Sequence, residues 1–467
     1  MSRKNTQPPR KRTSKPSTNR RLSAGGRPVG PARGKSIPAL ASLIASLAPG
    51  VLRDVVEKDK RLETSLTAAH ESMRGLPRAD RRLIYRALSS LVRWWGWIEP
   101  LKLVHVEDQL LLAWLLEAPD VPAVCRFWAN KSMRDPDRLF SSGDAPNWTA
   151  RAQGLKRFMD GKTVTADPWM LFPAWLRDEL PVPPGDEPAK SRRLAFLHSL
   201  QTRLPLWVGV RGKPEKPVWN ELRDTGLKPW IHRRIETAAK LDRDTDVGSL
   251  EPVNQGFVVV EDLASQAVAK VCDPDPGERW WVACGGTGLH ALDLGAEMAN
   301  KGAVIATFDH DAARHAAALR LRKSPFRNVA AKVWDGKYAP GKSGTYDGVL
   351  LDAPCSGVGV WRRHPEVRWI VRKPQLALFV ERQRQLLELA ATAVRPGGVI
   401  VYTVATATLC ETQGLVTKFL ADHPEFQLDP FPNPLEEAST TGILQIWPQI
   451  HDCEARFIAR LIRSRAK

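Results

Sequence analysis

The stretch LDAPCSGVGVWRRHPEVRW, Leu351 to Trp369, decides how the chain is read. It begins inside a β-rich apolar run, YDGVLLDA, so Asp352 falls at a strand end. Pro354, a single thiol at Cys355 and glycines at 357 and 359 follow. Glycine permits the tight turns that bring backbone close to a ligand. A carboxylate and a thiol on such a turn are residue types that do chemistry. Outward from this stretch, WWVAC, AVIATFD and NVAAKVWD precede it and GVIVYTV follows, with helical segments such as KPQLALFVERQRQLLELAATAV between them. Strand–helix alternation from Gly256 to the end predicts a doubly wound, Rossmann-like α/β sheet with ligands at the carboxyl ends of its strands. GILQIWP and ARFIARLIR read as a closing strand pair.

Four of these strand ends carry what a nucleoside cofactor needs. The first runs into ACGGTG, Ala283 to Gly288, whose glycines allow close backbone approach. The second ends at Asp309, placed to hold a ribose diol. The third ends at Asp335, able to accept from an adenine amino group, and the fourth at Asp352. Strand-terminating turns with capping acids are the plainer alternative.

The rest of the chain sets the context. With 467 residues it exceeds one hydrophobic core, so two to four domains are expected. No apolar run approaches the roughly 18 residues of a membrane span, so a soluble protein is expected. Net charge is +18, and residues 1–36 carry 11 Lys/Arg and no acid. A basic tail on a mildly basic body suggests RNA or DNA before membrane, or simply a solvated tail. The tail is rich in Pro, Ser and Gly and reads as disordered; its Pro and Gly content argues against a transit peptide. Six cysteines without a CxxC pair give neither a zinc site nor a disulfide framework, so no metal is expected and reduced intracellular thiols are. Residues 37–135 show helical periodicity, clearest in LPRADRRLIYRALSSLVRWWGWIE, with Asp80 as N-cap and Arg81, Arg82 and Arg86 off the apolar face, on phosphate or in solvent. Residues 136–190 end in VPPGDEP and read as a linker region, and 191–255 as a small α+β piece.

DAPCSGVG followed by RRHPEVRW resembles motif IV of the RsmB/Nop/Sun RNA cytosine-carbon-5 methyltransferases. GFVVVEDLASQ, with Asp262, Ser265 and Gln266, is similar to that family's opening segment, RPGGVIVYT to the strand before motif VI, and HDCEARFIARL to its closing strand. The ADRRLIYRALSSLVRW helix looks like the NusB-like domain of the RsmB branch, and 191–255 occupies the place of its small RNA-binding-type domain. The resemblance covers about residues 37–467. It implies a class I methyltransferase domain at 256–467, S-adenosylmethionine as cofactor, and a cytosine of rRNA or tRNA, single-stranded or flipped, as target. It further implies a cytoplasmic enzyme; nothing in the sequence calls for a dimer, so a monomer is expected. Carbon 5 of cytosine is a poor nucleophile, and a thiolate adding to carbon 6 turns it into an enamine. Asp352 is placed to stabilise charge at N3 during that addition. Arg362, Arg363, His364 and Trp369 suit backbone contact and stacking, with a surface or core role as the alternative for Trp369.

The sequence departs from the family twice. Motif VI reads Tyr-x-Thr-Cys-Ser in the family and Tyr402, Thr403, Val404, Ala405, Thr406 here, so Ala405 stands where the nucleophile belongs. Motif I, Cys-Ala-x-x-Gly-Gly-Lys in the family, is Cys284, Gly285, Gly286, Thr287, Gly288, Leu289, His290. Cys355 remains, in the Pro-Cys context that DNA cytosine methyltransferases use for attack, and Cys410 would reach the pocket only through a rearranged loop. Three readings stand: an RNA cytosine methyltransferase with Cys355 as nucleophile, a catalytically silent RNA-binding relative in ribosome assembly, and a methyltransferase with a different target atom.

Overall fold

The computed structural model describes residues 34–118, 120–139, 147–309 and 311–465. The expected tail at 1–36 therefore lies almost wholly outside the described residues. The C-terminal sheet has eight strands: β5 (Arg279–Ala283), β6 (Ala303–Phe308), β7 (Val329–Val333), β8 (Tyr346–Asp352), β9 (Val394–Val404), β10 (Phe426–Leu428), β11 (Ile443–Ile446) and β12 (Arg456–Arg463). Their order is β10-β12-β9-β8-β5-β6-β7, with β11 on β12. Strands β5 to β9 pair in parallel, and β12 closes the sheet antiparallel to β9. Succession reverses direction between β5 and β8, where a doubly wound sheet opens its ligand crevice. Apolar clusters cover both faces, one beneath the Leu263–Cys272 helix and one beneath Lys373–Ala393.

A second, four-stranded antiparallel sheet precedes it: β1 (Leu206–Val210), β2 (Trp230–Ile231), β3 (Ala238–Leu241) and β4 (Val258–Val260), in the order β2-β3-β1-β4. Strand β4 lies past the expected boundary at 255, because Val258–Val260 pairs with Val208–Val210. The helix expected in this small domain, Ala189–Leu200, instead buries Phe196, Leu197 and Leu200 in the N-terminal helical core.

The linker expected at 136–190 is corrected in the same way. Trp148–Phe158 is a helix capped by Asn147, and Leu155, Phe158, Leu171, Phe172, Trp175 and Leu176 are all in that core. Aromatic residues among the prolines, not the prolines, decide the segment's fate, since large apolar area is what burial rewards. Two smaller differences concern helices. The arginine-bearing helix runs Arg78–Ile98 with Pro77 before it, and Asp80 sits inside its first turn, accepting from the Lys35 backbone N–H. Ile37–Val56 has the length and hydropathy (1.5) of a membrane span; its Leu40, Ile44, Ala48, Val51 and Val55 stripe is packed into the core.

Candidate active site

Strand register gathers the site. Ala283 lies beside Leu351, Asp352 beside Thr403, and Thr403 beside Ile458. The tips of β5, β8, β9 and β12 therefore converge at the crevice. Beyond β5, Cys284, Gly286 and Gly288 are all left-handed, with φ of 59°, 52° and 82°. This compact turn feeds the Leu289–Glu297 helix, and alternating handedness of this kind points successive N–H groups into a concavity. Gly286 and Thr287 are exposed, Gly285 is packed so closely that a Cβ would sit 2.8 Å from the Phe308 ring, and Arg320 braces the turn by donating to the Thr287 carbonyl. Asp309 and Asp335 are exposed just past the ends of β6 and β7, and Asp335 accepts from the Lys337 N–H.

Asp352 is the hub. Its Oδ1 takes a 2.9 Å bond from Arg456, which also reaches Thr403 Oγ1, and its Oδ2 lies 3.4 Å from His290 Nε2. Burial alone would raise the carboxyl; Arg456 and His290 outweigh it and hold Asp352 well below the usual carboxylate range. Burial likewise opposes charge on His290, yet the Asp352 carboxylate lifts the imidazole above its ordinary value. The motif I lysine position thus still carries a proton-bearing group beside Asp352. Behind His290, Arg211 donates to Glu261 and to Asp293, a buried chain that ties the crevice to β1. Glu261, His290 and Asp293 present ligand atoms within 4.8 Å of one another, but both carboxylates are already ion-paired to the Arg211 guanidinium.

Cys355 is half-buried on the loop after β8 and packs against the apolar cluster under Lys373–Ala393. Burial, then the Glu411 and Asp352 carboxylates, pushes its thiol well above the ordinary value, so at neutral pH it rests protonated. A network fixes the loop. Glu411 is fully buried; its Oε1 accepts from the Ser356 N–H (2.8 Å) and Gln383 Nε2 (3.0 Å), and its Oε2 from Thr408 Oγ1 (2.6 Å). Ser356 Oγ and Thr406 Oγ1 are 2.9 Å apart, so the loops holding Cys355 and Ala405 are stitched together one residue beyond each. Gly359 must be glycine here: a Cβ would lie 1.9 Å from the Ala455 carbonyl oxygen. Cys410 is directed elsewhere. Its N–H donates to Glu179, it packs on the N-terminal core, and burial with Glu179 beside it raises its thiol to about 12.

The basic run after motif IV is largely structural. Arg362 is buried and donates to the Thr202, Arg203 and Cys453 carbonyls and to Asp452. Trp369 is half-buried with its indole N–H on the Val92 carbonyl, and His364 lies 3.5 Å from Glu366. Backbone contact and stacking are therefore withdrawn from Arg362 and Trp369, whose groups are satisfied internally. Arg363 is exposed, paired with Glu454 at 2.8 Å, and faces a separate cleft of about 1060 Å³. That cleft lies between the Arg78–Ile98 helix, the small sheet and the motif IV loop, and nine arginines against five carboxylates line it. Sequence reading missed Arg456 and Glu411. Both stand inside segments read as family-like, and nothing local marks either as a partner of motif IV.

Residues 269–462 match the family model described as 16S rRNA methyltransferase RsmB/F. The chain is 30% identical over 276 residues to ribosomal RNA small subunit methyltransferase B of Cronobacter sakazakii, covering 58% of this chain and 62% of that protein. It is 36% identical over 231 residues to the putative methyltransferase Rv1407 of Mycobacterium tuberculosis, covering 47% and 49%. The chain thus spans about half to three-fifths of these two relatives' lengths. Among solved structures, the crystal structure of PH0851 shares the fold at TM-score 0.69 with 23% identity, over 92% of this chain and all of that one. NSun6 from Pyrococcus horikoshii with SFG matches at TM-score 0.51 with 15% identity, over 60% and 95%.

Proposed function

Because residues 269–462 form a methyltransferase domain of the RsmB/F family, we propose that this chain is an S-adenosylmethionine-dependent RNA methyltransferase that modifies carbon 5 of a cytosine in rRNA or tRNA. The observation that carries this reading is the meeting of the glycine turn, Asp352 and Cys355 at the reversal point of the sheet. The cofactor fits the residues present. The left-handed turn at 284–288 leaves open space over Gly286, where an added Cβ would meet nothing closer than 3.8 Å, and Asp309 and Asp335 flank it for ribose and adenine. Bound S-adenosylmethionine supplies an electrophilic methyl group. Leu289 adds bulk at the helix start and is expected to weaken rather than abolish that binding.

Within this reading Cys355 is the nucleophile. Its sulfur adds to carbon 6 of a splayed-out cytosine, and N3 takes up a proton as the ring becomes an enamine. The His290–Asp352 pair is the proton-bearing group for N3, because Asp352 alone is held as a carboxylate. The raised Cys355 thiol must pass its proton to a base or to water as the cytosine enters. After methyl transfer the carbon-5 proton leaves to a base or water, the carbon–sulfur bond breaks to release the Cys355 thiolate, and N3 returns its proton to the His290–Asp352 pair. The helical part from residue 37 is read as the NusB-like module, and the arginine cleft as the RNA side of a cytoplasmic, monomeric enzyme. A second reading, a silent RNA-binding relative in ribosome assembly, is favoured by Ala405 and by the protonated state of Cys355. A third, transfer to another atom, needs no thiol adduct.

Calorimetric titration with S-adenosylmethionine tests the cofactor, and nucleoside mass spectrometry of RNA from cells lacking the protein tests the product. Loss of one 5-methylcytidine, restored by wild type and not by Cys355→Ser, is expected. No cofactor binding into the millimolar range would leave the silent reading; a missing nucleoside other than 5-methylcytidine would establish the third.

A further inference from the structure

Beyond the arginine cleft the small sheet carries an aromatic group that no cofactor or catalytic role uses. Trp230, on edge strand β2, is 52% exposed, an unusual state for so large an apolar side chain. It is held edge-on to buried Trp207 with centroids 5.9 Å apart, and Lys240 Nζ lies 5.1 Å from its ring centroid. Buried Trp207 is among the residues that line the cleft, and Trp230, outside that lining, lies one ring contact beyond it. Lys228, Arg233 and Arg234 are exposed around it.

The cleft is charged ahead of any partner. Burial, then Arg86, pulls Arg203 below its ordinary value, and burial, then Arg203 and Arg362, does the same to Arg243. Among the described residues neither Arg81 nor Arg243 is paired with a carboxylate. Crowded guanidinium groups that disfavour one another are stabilised by a polyanion, and their spread along a groove suits a phosphate backbone. A positive groove ending on an exposed aromatic face is how single-stranded nucleic acid is held without base reading.

We propose that the cleft is a track for single-stranded RNA, separate from the methyl-transfer crevice, in which phosphates follow Arg81, Arg203 and Arg243 and a base away from the modified nucleotide stacks on Trp230. This rests on the reading of RNA as substrate. The stacking contact sets how far from the target the strand must remain unpaired, so the preferred substrate is a long single-stranded loop or tail rather than a duplex.

The test is fluorescence anisotropy with a labelled 12-nucleotide mixed-sequence single-stranded RNA and the same sequence as a duplex, using the full chain. Trp230→Ala should weaken single-strand binding roughly 5- to 150-fold, the range of one lost base–aromatic stack. Trp230→Phe should stay within about threefold. Arg81→Gln and Arg243→Gln should each lower the slope of log affinity against log salt by about 0.7. Unchanged affinity for Trp230→Ala, with its melting temperature and calorimetric S-adenosylmethionine binding intact, would overturn the stacking subsite and leave the RNA reading standing; Trp230 would then face a protein partner. No binding of either RNA by the wild type would overturn both. Ultraviolet crosslinking of the same oligonucleotide should map to the peptide containing Trp230.

Discussion

Glu411 holds the Cys355 loop from outside the sequence motif, and its removal has a cost that can be worked through. Three buried donors point at its carboxylate: the Ser356 N–H, Gln383 Nε2 and Thr408 Oγ1. Glu411→Ala strands them. Thr408 escapes most of the penalty, because its hydroxyl lies 3.4 Å from Thr406 Oγ1 and can rotate there. The Ser356 N–H has no such exit, and Gln383 keeps only the amide hydrogen that it gives to the Pro354 carbonyl at 2.9 Å, leaving its second one unpaired. At about 1–3 kcal/mol for each of these two unsatisfied buried donors, the loss is about 2–6 kcal/mol. Glu411→Gln keeps one oxygen for Ser356 and Gln383, and its amide can donate to Thr408 after that hydroxyl turns, so about 1 kcal/mol is expected. Urea unfolding at constant m-value reads the first quantity. Peptide-mapped alkylation of Cys355 reads the loop, and should run severalfold faster in Glu411→Ala and near the wild-type rate in Glu411→Gln. If Glu411→Ala unfolds within about 0.5 kcal/mol of wild type and Cys355 alkylates at the wild-type rate, the network does not hold the loop and the reasoning fails.

Other outcomes follow from the same geometry. Ala405→Cys restores the missing thiol one residue from the Ser356–Thr406 bond, and should raise methylation turnover on the order of 10- to 100-fold, read by tritium transfer to RNA; no gain would mean position 405 does not face the base. The His290–Asp352 pair makes stability pH-dependent. His290 is raised in the fold, so its contribution is complete below about 6.5 and fades as pH rises through the higher folded value, whereas the lowered Asp352 contributes above about 3.8 and fades only as pH falls below it. His290→Gln should therefore lower the melting temperature most at pH 6 and progressively less above neutrality; a pH-independent gap would refute the pairing. Arg368 is buried and, among the described residues, in ion-pair contact with no carboxylate, donating instead to Gln201 Oε1 and to the Leu171, Leu200 and Trp361 carbonyls. Arg368→Ala leaves Gln201 Oε1 and the Leu171 carbonyl without this donor, while Arg93 still serves the Leu200 and Trp361 carbonyls. At about 1–3 kcal/mol for each stranded acceptor, opening this joint between the helical core and motif IV costs about 2–6 kcal/mol in a denaturation assay.

The sequence by itself determined the doubly wound sheet, its strand ends and the motifs on them. Period-two apolar runs and glycine turns are local signals, and WWVAC through GVIVYTV became β5 to β9 with Asp352 at a strand end. It also determined the loss at Ala405, which needs only counting. Segments whose fate depends on distant partners were not legible. Residues 148–180 read as a linker because their prolines are local and their burial against Phe196 and Trp361 is not. Arg362 and Trp369 looked free for nucleic acid until carbonyls more than 150 positions away claimed them. The states of Asp352, His290 and Cys355 belong to the tertiary structure for the same reason. Arg456 and Glu411 lie 104 and 56 residues beyond the groups they act on, and only the antiparallel closing strand and the turn after β9 bring those charges into a space with little water.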